Sequence, residues 1–212
     1  MNILHILRKP FRYTFFHATL IFIGINLLVH FVLRMYPGLR VYLSMNPALV
    51  VYHKFYWQVL TYSFVHGDFM HLFSNMIGLL FFGISLEHRL GSREFTLLYL
   101  VSAVLCGVFS LAVYVLSGMW NVFLLGASGA VFAVLLLYAV FFPRSTIFIW
   151  GILPVPAPLL VLGYAALEAF YMIFGRNSGV AHSTHLIGFA IAWLYAVVRF
   201  GIHPLREWFP RR

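Results

Sequence analysis

The chain has 212 residues, 63% of them hydrophobic and 9% charged, with a mean hydropathy of +0.94. Soluble domains carry roughly 25% charged residues, so this composition excludes an ordinary soluble fold and marks an integral membrane protein. The net charge of +9 is scattered singly between apolar stretches, so membrane lipid rather than nucleic acid is the expected partner.

A bilayer core of roughly 30 Å takes about 20 helical residues. Six stretches qualify: residues 14–34, 69–87, 95–116, 126–142, 157–175 and 183–200. The first has no small-residue cleavage signal behind it and is expected to be a retained span. It ends at "MYPGLR". Residues 35–68 then carry several aromatics ("VYHKFYW") and no charge run, which suits a segment lying in the membrane interface. "EHRLGSRE" separates the second and third spans, and "LSGMWN" follows the third. "FPRS" closes the fourth, "LPVPAP" precedes the fifth and "GRNSG" precedes the sixth. Cys106 is the single cysteine, so no disulfide is available. The expected fold is an all-α membrane protein, a six-helix transmembrane bundle with an outer interfacial loop between helices 1 and 2.

The basic residues orient it. With the N-terminus inside, ten lie on the inner side: Arg8, Lys9, Arg12, Arg89, Arg93, Arg144, Arg199, Arg206, Arg211 and Arg212. Four lie outside, namely Arg34, Arg40, Lys54 and Arg176. The positive-inside rule places both termini in the cytoplasm.

Polar groups then converge in depth. Counted from the first inner arginine of each span at about 1.5 Å per residue, Ser128 lies roughly 24 Å up, His185 and Asn75 roughly 21 Å, and His71 roughly 27 Å. A serine, an imidazole and further hydrogen-bond donors at one level are the parts for acyl transfer. Taken singly, each has a structural reading: "GASG" (Gly126 to Gly129) as a close-packing patch, Ser128 bonded to its own helix, His71 and Asn75 as interhelical glue. The common depth favours a site.

Other chemistries fail by inventory. No H-E-x-x-H is present. His66, His71, His182 and His185 lack an acidic second shell for a metal, so neither metal nor cofactor is expected. Asp68 is the single aspartate, which excludes an aspartyl-dyad protease. A transporter is disfavoured because no repeat is visible. Glu168 is the one acid in the middle of a span and has no assigned role. With no carboxylate evident beside the histidine, the expected machinery is a serine–histidine dyad.

These residues resemble the rhomboid intramembrane serine proteases. "HGDFMHLFSN" (His66 to Asn75) is similar to the family's H-x4-H-x3-N, and "EHRLGS" (Glu87 to Ser92) to its E-x-R-x-G turn. "GASG" is similar to G-x-S-G, and "HLIG" (His185 to Gly188) to H-x-x-G. The resemblance runs from about Trp57 to the end of the sixth span. It implies a single membrane domain over residues 1–212, an endopeptidase with Ser128 as nucleophile and His185 as base, and an oxyanion site of Asn75, His71 and the Ser128 N–H. Gly126, Gly129 and Gly188 are expected to permit close approach. His66 is expected to hold the outer loop, and Glu87 and Arg89 to pin the turn after the second span. Phe132 stands where some members stack a tyrosine on the histidine, and Gln58 where some have arginine, leaving the anchoring of the outer loop open.

Geometry agrees on the base. At about 100° per residue, His185 lies about 20° from Ala192 and about 60° from Gly188, against about 80° and 120° for His182. The stripe of Gly188 and Ala192 can press on Gly129 and Ala133, which delivers His185; His182 is expected to be interfacial. The resemblance implies single-pass membrane-protein substrates, an active site opening to the outer side and, with such short tails, a bacterial inner membrane. The rival reading is a non-catalytic relative that binds membrane clients.

Overall fold

The computed structural model describes residues 3–149, 151–175 and 182–209. The "GRNSG" break beyond Gly175, Arg176, Arg211 and Arg212 lie outside the described residues. Five helices are long and apolar enough to cross a membrane: Ala18–Met35, Phe69–Leu90, Ser92–Leu116, Ala157–Phe174 and His182–Phe200. Between the third and fifth spans in sequence stands a shorter fourth helix, Ser128–Phe141. Its 14 residues reach about 21 Å, short of a full span. The helix begins at Ser128, two residues inside the expected 126–142.

That short helix is the centre of the bundle. Ten of its 14 residues are buried, and the second, third, fifth and sixth spans pack around it. The peripheral first span shows a one-sided pattern instead. Ala18, Thr19, Phe22, Asn26, His30 and Leu33 face inward, while Leu20, Ile21, Ile25, Leu28 and Phe31 are exposed. In a membrane that outer stripe contacts lipid, so an apolar surface carries no penalty there.

Two spans depart from regular α-helix. Leu79–Gly83 and Ala196–Phe200 are π-helical turns, features that cluster at functional sites. At the C-terminal end of the sixth span, Arg8 donates to the carbonyls of Val197 and Val198, at 3.1 Å each. Arg199 pairs with Glu94 at 2.6 Å, and Tyr195 donates to the same carboxylate at 2.5 Å. The N-terminal segment is thereby tied to the end of the bundle.

The connection between the fourth and fifth spans, expected to be a plain break, is a β-hairpin. β1 (Thr146–Ile149) pairs antiparallel with β2 (Leu153–Pro156). The β-branched residues of β1 favour extension, and Pro154 and Pro156 are tolerated because a two-stranded ribbon is all edge.

Glu87 performs a more distant task than pinning its own turn. The first span starts after His17, which has φ 57° and no side-chain cap. The Glu87 carboxylate supplies one, accepting from the N–H of Ala18 (2.6 Å) and of Thr19 (2.9 Å), and also from the Ser92 hydroxyl. Arg89 is not its partner; it lies exposed with its guanidinium 6.0 Å from the Phe141 ring centre. Glu87→Ala removes a buried charged acceptor from three donors and is expected to lower stability by about 3 kcal/mol. Thermal unfolding in detergent checks this as a midpoint several degrees lower.

Candidate active site

The segment between the first and second spans sets the height at which the fourth helix begins. It folds into short helices, Leu39–Leu43, Pro47–His53 and Gln58–Thr61, then a 3₁₀ turn at Tyr62–Phe64. Gly107 lets it press on the third span, because a side chain there would meet the Val59 carbonyl at 2.3 Å. Gln58, fully buried, is its internal anchor. Its amide donates to the carbonyls of Val41 (2.9 Å) and Tyr42 (3.2 Å), and its oxygen accepts from the Asn46 N–H (3.0 Å). A neutral amide thus meets both donors and acceptors where an arginine could only donate.

This segment holds the loop that precedes Ser128. Met45 and Leu124 exchange backbone hydrogen bonds of 3.0 and 2.8 Å, and Gly126 N–H donates to the Tyr62 carbonyl at 3.0 Å. His66 is fully buried; burial, reinforced by the neighbouring His71, lowers its pKa to about 3. The ring therefore stays neutral, and its Nε2 accepts from the Ala127 N–H at 3.4 Å.

Gly126 makes the turn into the helix with φ 117°, a conformation glycine adopts at little cost. A Cβ there would stand 2.7 Å from the His71 ring and 3.7 Å from Ser128 Oγ. His71 and Ser128 thus flank the same glycine. His71 is set by Asp68, which caps the second span by accepting from the His71 N–H at 2.8 Å. Asn75 donates one amide hydrogen to the His71 carbonyl at 2.8 Å, leaving its other hydrogen for a different acceptor. Because the fourth helix starts at Ser128, its first backbone N–H groups have no intrahelical acceptors.

His185 comes from the sixth span. Its Nε2 lies 2.8 Å from Ser128 Oγ. Phe132 stacks on its ring, centroids 4.4 Å apart at 12°. Gly188 allows the close approach of the two helices, since a Cβ there would meet the Gly129 carbonyl oxygen at 2.2 Å. Gly129 in turn leaves room for Cys106 and Thr184. Ala133 and Ala192 are fully buried in the same seam.

Two expectations need correction. A carboxylate does reach the histidine: Glu168 Oε1 on the fifth span lies 2.9 Å from His185 Nδ1. The distance suits a hydrogen bond, although the angle is too bent to count as one fully formed; apo catalytic contacts are often misaligned in this way. His182 is not merely interfacial either. Its Nδ1 lies 2.5 Å from Glu168 Oε2, and its ring stacks on Tyr171. Two signals pointed here: a lone acid inside a span calls for a partner, and histidines at i and i+3 share a helix face.

Glu168, His182 and His185 are also, among the described residues, the group whose three ligand atoms lie within 4.8 Å of one another. Each carboxylate oxygen faces one imidazole nitrogen, Oε1 that of His185 and Oε2 that of His182. A cavity of about 640 Å³ opens over Ser128 and His185. Its walls include Gly78 and Phe82 of the second span, Leu135 of the fourth and Tyr164 of the fifth, with His71 and Asn75 at its polar end.

The family model for the rhomboid domain matches residues 53–202. The chain belongs to the rhomboid family. RHOMBOID-like protein 12, mitochondrial, of Arabidopsis thaliana is 35% identical over 157 residues, covering 68% of this chain and 46% of that protein. Rhomboid-related protein 4 of Rattus norvegicus is 31% identical over 180 residues, covering 74% and 54%. Rhomboid protein 1, mitochondrial, of Saccharomyces cerevisiae is 41% identical over 95 residues, covering 44% and 27%. This rhomboid chain spans about half the length, or less, of these curated relatives. It is a multi-pass helical membrane protein.

Proposed function

We propose that this rhomboid is an intramembrane serine endopeptidase that cuts the transmembrane segments of single-pass membrane proteins. The observation that carries the reading is the 2.8 Å contact of His185 Nε2 with Ser128 Oγ at the floor of a cavity. His185 takes the Ser128 proton as the oxygen attacks the scissile carbonyl. The C–N bond then breaks, and the same proton goes to the departing amine. Water, deprotonated by His185, releases the acyl group. The Ser128 N–H, the free Asn75 hydrogen and His71 surround the developing oxyanion, each well-placed donor being worth roughly 3–4 kcal/mol.

The wall between the second and fifth spans, at Phe82 and Tyr164, is the proposed entry for an unwound substrate segment. Both termini face the cytoplasm, and the cavity opens on the opposite side. Several of the relatives are mitochondrial or chloroplastic by name.

Gly126→Ala pushes into the His71 ring at a backbone angle alanine resists. A misplacement of about 1 Å can lower a rate 10²-fold, and that loss is expected here, measured as cleavage in liposomes. The function itself is tested by reconstituting the chain with a panel of single-pass segments carrying fluorescent tails. Cleavage towards the outer end of a segment, absent with Ser128→Ala, supports the reading. Stable binding of segments with no cleavage in any lipid overturns it in favour of client binding.

A further inference from the structure

The machinery contains a third member that a dyad does not need. The only ionisable side chains within reach of the Glu168 carboxylate among the described residues are two imidazoles, one per oxygen: His185 Nδ1 at 2.9 Å and His182 Nδ1 at 2.5 Å. No lysine or arginine among the described residues pairs with it. Glu168 is itself largely buried, as are both rings. A buried carboxylate that merely stabilised the fold is a poor choice, since an apolar residue of similar volume commonly does as well.

We propose that Glu168 is a positioning residue that turns the Ser128–His185 pair into a serine–histidine–glutamate triad, an inference that rests on the protease reading. In the resting state an anionic Oε1 selects the His185 tautomer with its proton on Nδ1. Nε2 is then the bare nitrogen, and it is the nitrogen facing Ser128 Oγ at 2.8 Å. When Ser128 transfers its proton to Nε2 and forms the bond to the scissile carbon, the ring becomes an imidazolium. Its new charge lies against the carboxylate, which stays ionised throughout. The proton leaves from Nε2 to the amine as the C–N bond breaks, and the ring returns to its first tautomer.

His182 completes the arrangement from the other side. By donating to Oε2, it fixes the carboxylate plane so that Oε1 remains directed at His185, and Tyr171 holds the His182 ring in turn. Phe132 stacked on His185 restrains the remaining rotation. The base is thus stacked on one face and met at Nδ1 by the Glu168 carboxylate, which leaves Nε2 for chemistry.

Glu168→Gln tests this, because it keeps volume and hydrogen-bonding reach. If the amide hydrogens face His185, the proton moves to Nε2 and the base is blocked. If the amide oxygen faces it, the counter-charge is lost. Either way kcat is expected to fall about 10²–10⁴-fold with KM within about twofold and the unfolding midpoint unchanged. Labelling by a fluorophosphonate gives a second readout. Glu168→Gln should slow it strongly in the wild-type background and not at all in His185→Ala, since coupled residues are non-additive. Wild-type labelling with an unaffected Glu168→Gln variant, or an equal further loss in His185→Ala, overturns the triad and leaves the protease standing. Absence of labelling in folded wild type defeats the protease reading itself.

Discussion

Ser128→Ala and His185→Ala are each expected to abolish cleavage, with a loss on the order of 10⁶-fold in kcat, and the double variant should be no slower than either. The reason is mechanical. Ser128 without a base is an ordinary hydroxyl, and His185 without a nucleophile has no proton to accept. The 2.8 Å contact between them is one device rather than two contributions. What persists in all three variants is the oxyanion environment: the start of the fourth helix, His71 and Asn75. Turnover of a tagged segment in liposomes measures this, with the double variant as the diagnostic sample. If its loss equals the product of the single losses, the two residues act independently and the proposed proton transfer is wrong.

Gly188→Ala is the second large effect, and it arises outside the chemistry. Its Cβ would sit 2.2 Å from the Gly129 carbonyl oxygen and 3.1 Å from the Gly129 carbonyl carbon. Both atoms are backbone, so no side-chain rotation relieves the clash and the fourth and sixth helices must separate. Gly188 lies one turn from His185, and Gly129 is next to Ser128, so the displacement acts almost directly on the catalytic contact. A shift of about 1 Å there is worth around 10²-fold in rate, and overpacking costs about 1–3 kcal/mol. Both losses are expected together, the first by cleavage assay and the second by thermal unfolding. Full activity in Gly188→Ala would mean that the helices meet differently.

Much of this site was legible in the chain because rhomboid chemistry sits on spans whose ends punctuation marks. Pro143 and the glycines around Ser128 bracket the fourth helix, and the arginines near the span ends give depth by counting. His185 was separable from His182 because Gly188 and Ala192 define the packing stripe. Span ends were read to within a few residues, the start of the first being the worst. Thr14 to His17 are apolar enough to extend it, but the left-handed His17 stops the helix.

What escaped reading was long-range. Glu168 and His185 are 17 positions apart and stand on different spans. Nothing along the fifth span, apolar on most sides, says which face turns inward. A lone acid there advertised a need for a partner without naming it. The capping of the first span by Glu87 was hidden likewise, since the motif places Glu87 at a turn while its acceptor role lies 68 and 69 residues away. The hairpin at Thr146–Pro156 was obscured by its prolines, which read as breakers until the strand is known to have a free edge.

The central claim, that Ser128 is an activated nucleophile, is tested most directly by treating the folded chain in lipid with a fluorophosphonate and locating the adduct by peptide mass spectrometry. The predicted result is one adduct, on the peptide containing Ser128, lost in Ser128→Ala, nearly lost in His185→Ala and retained in a variant of an exposed serine away from the cavity, Ser117→Ala. An adduct on another serine, or none on well-folded wild type at high probe concentration, would contradict the account.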